Sequence, residues 1–313
     1  MTKACLFALL LPFSVLASEP PDDPTAPTDP ASVEPKSPKP IEKRAQEDHG
    51  LVDQRVKREA STVENPFVIT PHRPNYVLPV KYTTNPHNES YEGNLPADKG
   101  LDSVEMKFQI SMKFPLAFNL FGKKNSLWVA YTQQAFWQAY NSSISAPFRE
   151  SNYEPEIFMA FNIDSDWFGI RPKYLNIGLD HQSNGRSDPY SRSWNRIYAD
   201  FIFEKDNLVV SIKPWYRIPE SRQNDDNPDI EKYLGYGELN GIYVMGNYSV
   251  DFMLRNNLRA SDNKGAIQLG FTFPLWGKLR GYVQYFNGYG ESLIDYNHST
   301  QSLGVGIMLT NWL

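Results

Sequence analysis

The sequence predicts an all-β fold: a transmembrane antiparallel β-barrel of about 12 strands, preceded by a disordered Pro-rich extension. Three observations predict it. From about residue 70 onward, apolar and polar residues alternate, as in strands with one apolar face. After the N-terminus, no segment has the long apolar run of a transmembrane helix. Aromatic residues make up 14% of the chain, enough for the girdles that barrels carry at both membrane surfaces.

Residues 1–18 have the pattern of a secretory signal peptide. Lys3 supplies the positive charge, residues 6–16 are mostly apolar, and small residues follow at the expected cleavage point. A single membrane anchor is the alternative, but this apolar run is too short to span a bilayer core. The only cysteine, Cys5, lies inside the segment, so the exported chain would contain no disulfide.

Residues 19–63 differ from the rest in composition. Eight prolines between Pro20 and Pro40 alternate with Asp, Glu, Ser, Thr and Lys. Such a stretch cannot bury an apolar core, so we predict a disordered spacer here. The charged part between residues 41 and 59 could form a short helix, an alternative that the composition does not favour. The barrel domain is therefore expected over residues 64–313.

Period-two alternation is clearest in five runs of the predicted barrel. These runs are residues 106–114, 127–132, 208–213, 267–273 and 303–310. A soluble β-sandwich would also alternate, but the polar faces here carry Lys, Gln, Asp and Arg beside Gly, which suits a polar lumen. At about 20 residues per strand and connection, the domain holds about 12 strands. The net charge of −5 does not indicate a nucleic-acid partner.

One stretch, from Asp180 to Arg196, places three reactive side chains on apolar strand faces. His181 and Ser183 share parity with Leu175, Ile177 and Leu179, and Asn195 shares parity with Ile197 and Phe201. If the apolar face is the lipid face, all three project outward. Polar groups are costly there, so their presence indicates a function.

The spacing of these three residues permits nucleophilic catalysis. His181 and Ser183, two apart on a strand, share a face, so the imidazole can accept the hydroxyl proton. A hairpin would bring Asn195 to the imidazole as the orienting group, the role of aspartate in Ser-His-Asp triads. A lone His-x-Ser pair is usually only a surface pair, and the shared parity is what favours catalysis. The Gly-x-Ser-x-Gly elbow of α/β-hydrolases is not present at Ser183.

The segment between the two predicted strands is rich in oxygen donors. Ser187, Asp188, Ser191 and Ser193 follow Gly185, and hydroxyl, carbonyl and water oxygens suit a hard cation such as calcium. An ordinary polar turn is the alternative. The second Asp-rich segment, residues 224–229, is interpreted as a solvated connection rather than a metal site.

These motifs resemble those of the outer membrane phospholipase A family. The resemblance covers roughly residues 64–313 and leaves the Pro-rich spacer outside. The matching stretches are residues 181–196, Tyr131-Thr132-Gln133, Pro147-Phe148-Arg149-Glu150, Asn152-Tyr153-Glu154-Pro155, Lys213-Pro214-Trp215-Tyr216, Asp226-Asn227-Pro228-Asp229-Ile230 and residues 288–296.

The resemblance implies a twelve-stranded barrel in the outer membrane of a Gram-negative cell, with its active site towards the outer leaflet. It also implies calcium-dependent hydrolysis of phospholipid acyl esters at both glycerol positions, and of lysophospholipids. Ser183 would be the nucleophile, His181 the base and Asn195 the orienting residue. The backbone amide of Gly185 would contribute to the oxyanion hole. Gln182 stands where relatives can have an acidic residue, and it is expected to face the lumen.

The resemblance further implies one calcium ion per monomer at the interface of an active homodimer. Its ligands would be the Arg186 carbonyl, the Ser191 hydroxyl and the hydroxyl of Ser145 of the partner subunit. Ala146 stands where some relatives have a second serine, so Ser145 has no neighbour that could replace it.

Gln133 adds a prediction from parity alone. It shares parity with Leu127, Val129 and Tyr131, so it should face lipid, where an unpaired amide is costly. A hydrogen bond to a second copy of the chain across a two-fold axis would satisfy this amide. The family resemblance implies the same arrangement. The alternative is hydration near the membrane surface. For the whole chain, the alternative to an enzyme is a catalytically inert barrel, either a porin or an adhesin.

Overall fold

The computed structural model describes residues 50–63, 69–91, 99–121, 124–163, 165, 169–221, 223, 225–277 and 279–313. The predicted signal peptide, residues 1–18, and residues 19–49 of the predicted spacer lie outside this described part. Among the described residues, no helix is both long and apolar enough to cross a membrane.

In the described part of the chain, twelve long antiparallel strands close into a barrel. Strand β3 pairs with both β2 and β4, and β2 pairs with β13, which completes the ring. A short strand, β1 (Thr70–Pro71), adds to β3. The barrel strands are β2 (Asn75–Thr83), β3 (Val104–Leu120), β4 (Asn125–Trp137), β5 (Phe148–Asn162), β6 (Arg171–Ser183), β7 (Ser193–Lys205), β8 (Leu208–Ile218), β9 (Gly237–Met245), β10 (Tyr248–Asn256), β11 (Gly265–Trp276), β12 (Leu279–Tyr289) and β13 (Ser299–Thr310). The predicted barrel of about 12 strands is therefore confirmed.

Side chains along these strands alternate between lumen and exterior as predicted. On β6, Ile177 and Leu179 are 45% and 50% exposed, whereas Asp180 is 3% exposed. On β7, Ile197 is exposed while Trp194 and Tyr198 are buried. A water-exposed surface of this kind would be unfavourable, so the apolar exterior indicates a surrounding bilayer.

The two ends of the barrel differ in the length of their connections. At the short-turn end, strands are joined by residues 121–124, 163–170, 206–207, 246–247 and 277–278. At the long-loop end, they are joined by residues 84–103, 138–147, 184–192, 219–236, 257–264 and 290–298. Exposed aromatic side chains lie near both ends, with Trp276 and Tyr248 at the short-turn end and Tyr216 near the other. This distribution matches the aromatic girdles predicted from composition.

Charged side chains fill the lumen in paired layers. Arg196 lies 3.0 Å from Glu154, and Arg73 lies 2.8 Å from the same carboxylate. Lys81 lies 3.0 Å from both Glu105 and Glu291. Burial of unpaired charge is prohibitive, so the pairing is what allows charged side chains in the interior. An interior cavity of about 250 Å³ lies among these charged side chains, lined by Arg73, Glu154, Arg196 and Glu291.

The β12–β13 connection folds into the mouth at the long-loop end. Its Leu293 and Ile294 are almost fully buried, and its Asp295 lies 2.6 Å from Arg149 of β5. Burial by itself would raise the pKa of Asp295. The ion pair with Arg149 and hydrogen bonds from His87 and Ser292 outweigh burial and hold that pKa below its usual value.

A helix covers the lumen at the short-turn end. Helix α1 (Leu51–Val63) lies within the segment predicted as a disordered spacer, so that prediction is wrong for residues 51–63. Val52 packs with Val209 of β8 and Ile242 of β9, and Val56 and Trp312 lie against this cluster. Burial repeats along the helix at helical spacing, which a composition-based prediction of disorder overlooks.

Polar contacts fix α1 at both ends and in the middle. Asp53 lies 2.9 Å from Lys173 of β6, and Glu59 lies 2.9 Å from Lys113 of β3. Between them, Arg55 donates to the carbonyls of Pro71, His72 and Trp312. The helix is therefore anchored to three separate parts of the barrel end.

Candidate active site

The last residues of β6 and the first of β7 form the predicted site at the long-loop end. In the antiparallel register, His181 pairs directly with Asn195, and Ser183 pairs with Ser193. His181 Nδ1 lies 2.8 Å from Asn195 Oδ1. An amide oxygen only accepts hydrogen bonds, so this contact places a proton on Nδ1 and leaves Nε2 free to act as a base.

These side chains lie on the outer, apolar face of the barrel, as parity predicted. His181 and Asn195 are partly buried, and the next residues of the same parity, Leu179 and Ile197, are exposed apolar side chains. The site therefore borders the surface that faces acyl chains.

Ser183 lies on the same face of β6, two residues beyond His181. Of the two hydrogen bonds that a triad needs, the described residues form only that between His181 and Asn195; none joins Ser183 Oγ to the imidazole. Such bonds are often long in a chain without substrate and tighten when the ester binds.

The lumen side of the same strands holds the site in register. Asp180 and Arg196 pair across β6 and β7, with their charged atoms 2.7 Å apart. Trp194 Nε1 donates to Gln182 Oε1 at 2.8 Å, so Gln182 faces the lumen as expected. The ion pair inside and the His181–Asn195 contact outside are fixed by the same register.

Asn184 organises the β6–β7 loop. Its side chain is buried, its Oδ1 accepts from the amides of Arg186 and Arg192, and its Nδ2 donates to the Tyr190 carbonyl. These bonds tie both arms of the loop together. Sequence reasoning treated Asn184 only as part of the motif, because the pattern does not tell which turn residue points inward.

Gly185 and Arg186, the predicted oxyanion and calcium residues, follow directly. Gly185 has φ +65°, and a Cβ there would lie 3.3 Å from the Tyr153 ring, so both backbone and space favour glycine. Arg186 Nε lies 3.2 Å from Glu150, and the same side chain donates to the Arg149 carbonyl. The side chain thus fixes the residue whose carbonyl is a predicted calcium ligand.

Ser191, another predicted calcium ligand, contacts a carboxylate that sequence reasoning placed in a solvated connection. Ser191 Oγ donates to Asp226 Oδ2 at 2.6 Å, and Ser193 Oγ lies 3.5 Å from the same oxygen. Residues 224–229, interpreted as a solvated connection, thus contribute a hydrogen-bond acceptor through the half-buried Asp226. The described residues contain no group of three or more His, Cys, Asp or Glu side chains that could hold a metal, so any site here would depend on hydroxyl and carbonyl oxygens.

Ser145 lies apart from these residues, in the β4–β5 loop. It is exposed, with φ +63°, directly after a short 3-10 turn at Ser142–Ile144. The described contacts do not join it to Arg186 or Ser191. Its role towards a second copy of the chain stays a prediction.

Gln133 lies on the outer face of β4, as parity predicted. Its neighbours Thr132 and Ala130 are buried in the lumen, and Tyr131 OH donates weakly to its Oε1 at 3.4 Å. Gln133 pairs with Tyr153 of β5.

Comparison with known proteins decides the family. The family model for phospholipase A1 matches residues 52–309. The chain belongs to the phospholipase A1 family. It is 40% identical to phospholipase A1 of Klebsiella pneumoniae over 248 residues, 79% of this chain and 84% of that one. It is 39% identical to phospholipase A1 of Escherichia coli K12 over 249 residues, covering 79% and 83%.

Solved structures of this family share the fold. Outer membrane phospholipase A from Escherichia coli superposes with a TM-score of 0.73 at 38% identity, covering 80% of this chain and 95% of that one. The Salmonella typhi outer membrane phospholipase dimer with bound calcium gives a TM-score of 0.73 at 38% identity, covering 80% and 94%. The chain is thus a phospholipase, an ester hydrolase, and a barrel of the Gram-negative outer membrane.

Family membership removes the support for an inert porin or adhesin.

The phospholipase A1 match begins at residue 52, so α1 belongs to the family domain. The matched region therefore extends further towards the N-terminus than the predicted boundary at residue 64.

Proposed function

We propose that the chain is a calcium-dependent phospholipase that hydrolyses acyl esters at both glycerol positions, and those of lysophospholipids. The observation that carries this proposal is the 2.8 Å contact between His181 Nδ1 and Asn195 Oδ1 on the outward face of two paired strands. A base held in the correct tautomer two residues from a serine, beside an apolar surface, suits an ester that is embedded in lipid.

Ser183 Oγ attacks the ester carbonyl carbon, and His181 Nε2 takes the hydroxyl proton. Asn195 holds Nδ1–H and orients the imidazolium that forms. The tetrahedral intermediate collapses to an acyl-enzyme, and His181 returns its proton to the departing glycerol oxygen. Water then attacks the acyl-enzyme with His181 as base, which releases a fatty acid and restores Ser183.

The Gly185 amide would donate to the oxygen that becomes negative in both tetrahedral intermediates. Its left-handed backbone and the loop bonds of Asn184 support a fixed direction for this donor. Preorganised donors of this kind need no rearrangement during the reaction, which is why they lower the barrier.

Calcium fits the oxygen donors of this loop. The Arg186 carbonyl, the Ser191 hydroxyl and the hydroxyl of Ser145 of the partner subunit are hard ligands, and Asp226 beside Ser191 supplies a negative charge. A calcium ion bound there would supply positive charge next to the developing oxyanion. A related dimer from Salmonella typhi holds calcium, which supports this part of the proposal.

The position of the site supports phospholipids of the outer leaflet as the substrate. The triad lies at the long-loop end, and in outer-membrane barrels the longer loops are extracellular. Leu179 and Ile197 extend from the site along the apolar face, where acyl chains would lie. Dimerisation would place a second barrel against this face, through Gln133, and contribute Ser145.

Fatty-acid release from phosphatidylcholine in mixed detergent micelles tests the proposal. With calcium, Ser183→Ala should lose at least about a thousandfold in rate, whereas Ser299→Ala, an exposed serine at the same barrel end, should match wild type. A chelator should abolish the wild-type rate. A wild-type rate in Ser183→Ala would overturn the role of Ser183 as the nucleophile. Full activity with chelator would overturn the calcium requirement.

A further inference from the structure

Asn195 makes a second hydrogen bond, on the side away from His181. Its Nδ2 donates to Glu220 Oε1 at 2.9 Å, while its Oδ1 faces His181 Nδ1 at 2.8 Å. The amide is therefore held between an imidazole and a carboxylate. Hydrogen bonds thus join His181, Asn195 and Glu220 at one end of the outer face, and Ser183 lies beside His181 on the same strand face.

Glu220 occupies this position because of strand register. Asn195 pairs with Ile218, the last residue of β8, and Glu220 follows two residues later with the outward parity of Tyr216 and Ile218. It is partly buried. Its side chain forms no other hydrogen bond or ion pair within the described ranges. A partly buried carboxylate at the edge of an apolar face is costly, and its only described partner is the catalytic amide.

The chemistry of the carboxylate determines which way the amide points. An ionised carboxylate only accepts hydrogen bonds, so it binds the amide nitrogen and turns the amide oxygen towards His181. A flipped amide would present N–H to Nδ1, place the imidazole proton on Nε2 and leave no base for the serine. Neutral asparagine lacks the symmetry by which an aspartate avoids this error.

We propose that Glu220 is a positioning residue that fixes the Asn195 amide and thereby the tautomer of His181. This inference rests on the proposed triad and adds a residue to it. The described hydrogen bond of Glu220 is to Asn195, so its action would pass through that amide.

Glu220 also places a negative charge near the imidazolium that forms during catalysis. Among the described residues, the phenols of Tyr131 on β4, Tyr153 on β5 and Tyr216 on β8 share this part of the outer face. In the loops above, Asp226 contacts Ser191 and Ser193. Arg186 is bound to Glu150, and Arg192 is bound to the carbonyls of its own loop.

The first test measures kcat for phosphatidylcholine hydrolysis in mixed micelles with saturating calcium. Glu220→Ala should lower kcat about tenfold, the lower end of the losses seen when the hydrogen-bond partner of a functional side chain is removed, and by no more than Asn195→Ala does. Glu220→Gln keeps an acceptor oxygen and should retain most of the rate. Glu231→Gln changes a carboxylate in the same connection that lies on helix α2 (Glu231–Leu234), and it should match wild type.

The second test is the pH profile of kcat/KM. Loss of the carboxylate charge makes the imidazolium less favourable, so the acidic limb should move to lower pH. Full screening by water would give a shift of about half a pH unit for a unit charge at a separation of about 6–7 Å, and the partly buried position of Glu220 makes that value a lower limit. The shift should occur in both Glu220→Ala and Glu220→Gln, and it should be absent in Glu231→Gln. A merely structural role for Glu220 would lower the rate without moving this limb.

The double variant Asn195→Ala/Glu220→Ala separates the possible outcomes. If Glu220 acts through Asn195, the double variant should equal Asn195→Ala alone. An equal loss from Glu220→Ala in both backgrounds would overturn the proposal, and so would an unmoved acidic limb. Ser183→Ala tests the triad itself. If it is inactive while Glu220→Ala matches wild type, only the Glu220 proposal fails, whereas an active Ser183→Ala removes the triad on which it rests.

Discussion

Gln133 and Ser183 lie in one row across the outer face of the barrel, separated only by Tyr153. Gln133 pairs with Tyr153 across β4 and β5, and Tyr153 pairs with Ser183 across β5 and β6. Neighbouring strands are about 4.8 Å apart, so the two residues stand on the order of 10 Å from each other. A partner docked at Gln133 would therefore adjoin the surface from which an acyl chain reaches the serine.

This row predicts that Gln133 couples dimerisation to activity. Gln133→Ala should remove a hydrogen bond between copies worth about 1 kcal/mol, which is about fivefold in the dimerisation constant. Activity at low protein concentration should fall with dimer content and recover at high concentration. Sedimentation in detergent with calcium, measured beside the hydrolysis rate, checks both quantities.

Gln134→Ala is the matched control for this prediction. Gln134 is the next residue, faces the lumen and donates to Tyr76 OH at 3.2 Å and Gln109 Oε1 at 3.3 Å. It should leave the dimer content unchanged. Unchanged dimer content in Gln133→Ala as well would remove Gln133 from the interface.

The sequence was sufficient for the barrel and for the outward orientation of the proposed triad residues, because both follow from local alternation. His181, Ser183 and Asn195 lie on strands whose apolar residues reveal the outer face, and a single hairpin joins them. Parity within a strand is insensitive to the rest of the fold, which is why these predictions could be made without an alignment.

The residues that sequence reasoning missed depend on contacts between distant segments. Asp226 is 35 residues from Ser191, and Glu220 is 25 residues from Asn195, so no local pattern links either pair. A short helix between residues 41 and 59 was considered but not favoured over disorder, for a similar reason. Val52 is apolar within a charged stretch, and only Val209 and Ile242 at the strand ends provide a surface for it.

The contact of Asp226 with Ser191 predicts an effect on calcium affinity. Asp226→Asn keeps an acceptor for the Ser191 hydroxyl but removes a negative charge from a site of neutral ligands. The calcium concentration for half-maximal activity should rise at least about tenfold, consistent with the effect of charge count on calcium affinity. The rate at saturating calcium should approach that of wild type.

Asp262→Asn is the control for this calcium titration. Asp262 is an exposed carboxylate of the β10–β11 loop that pairs with Lys264. It changes the net charge by the same amount, so it should leave the calcium requirement unchanged. If Asp226→Asn also keeps the wild-type requirement, Asp226 serves only as a hydrogen-bond acceptor for Ser191.

The depressed pKa of Asp295 predicts how the long-loop end responds to acid. A group whose pKa is lower in the folded state stabilises the fold above its unfolded pKa, and this contribution disappears as pH falls through the folded value. Asp295→Asn should therefore lower the unfolding temperature in detergent at pH 7. The difference from wild type should shrink as pH falls below about 4, the usual range of an aspartate. A difference that stays constant down to pH 3 would contradict a role for the charge.

The docking of α1 predicts that a single buried residue controls its release from the barrel. Val52 is 6% exposed against Val209 and Ile242, and Val52→Asn would bury an amide without a partner, at a cost of about 1–3 kcal/mol. Arg55, Lys57 and Arg58 should then become faster trypsin sites while the barrel stays resistant, because local opening precedes cleavage. Ser61→Asn, on the exposed side of the helix, should retain wild-type protection. Equal cleavage rates in the two variants would indicate that the ion pairs of Asp53 and Glu59, rather than the apolar cluster, hold the helix in place.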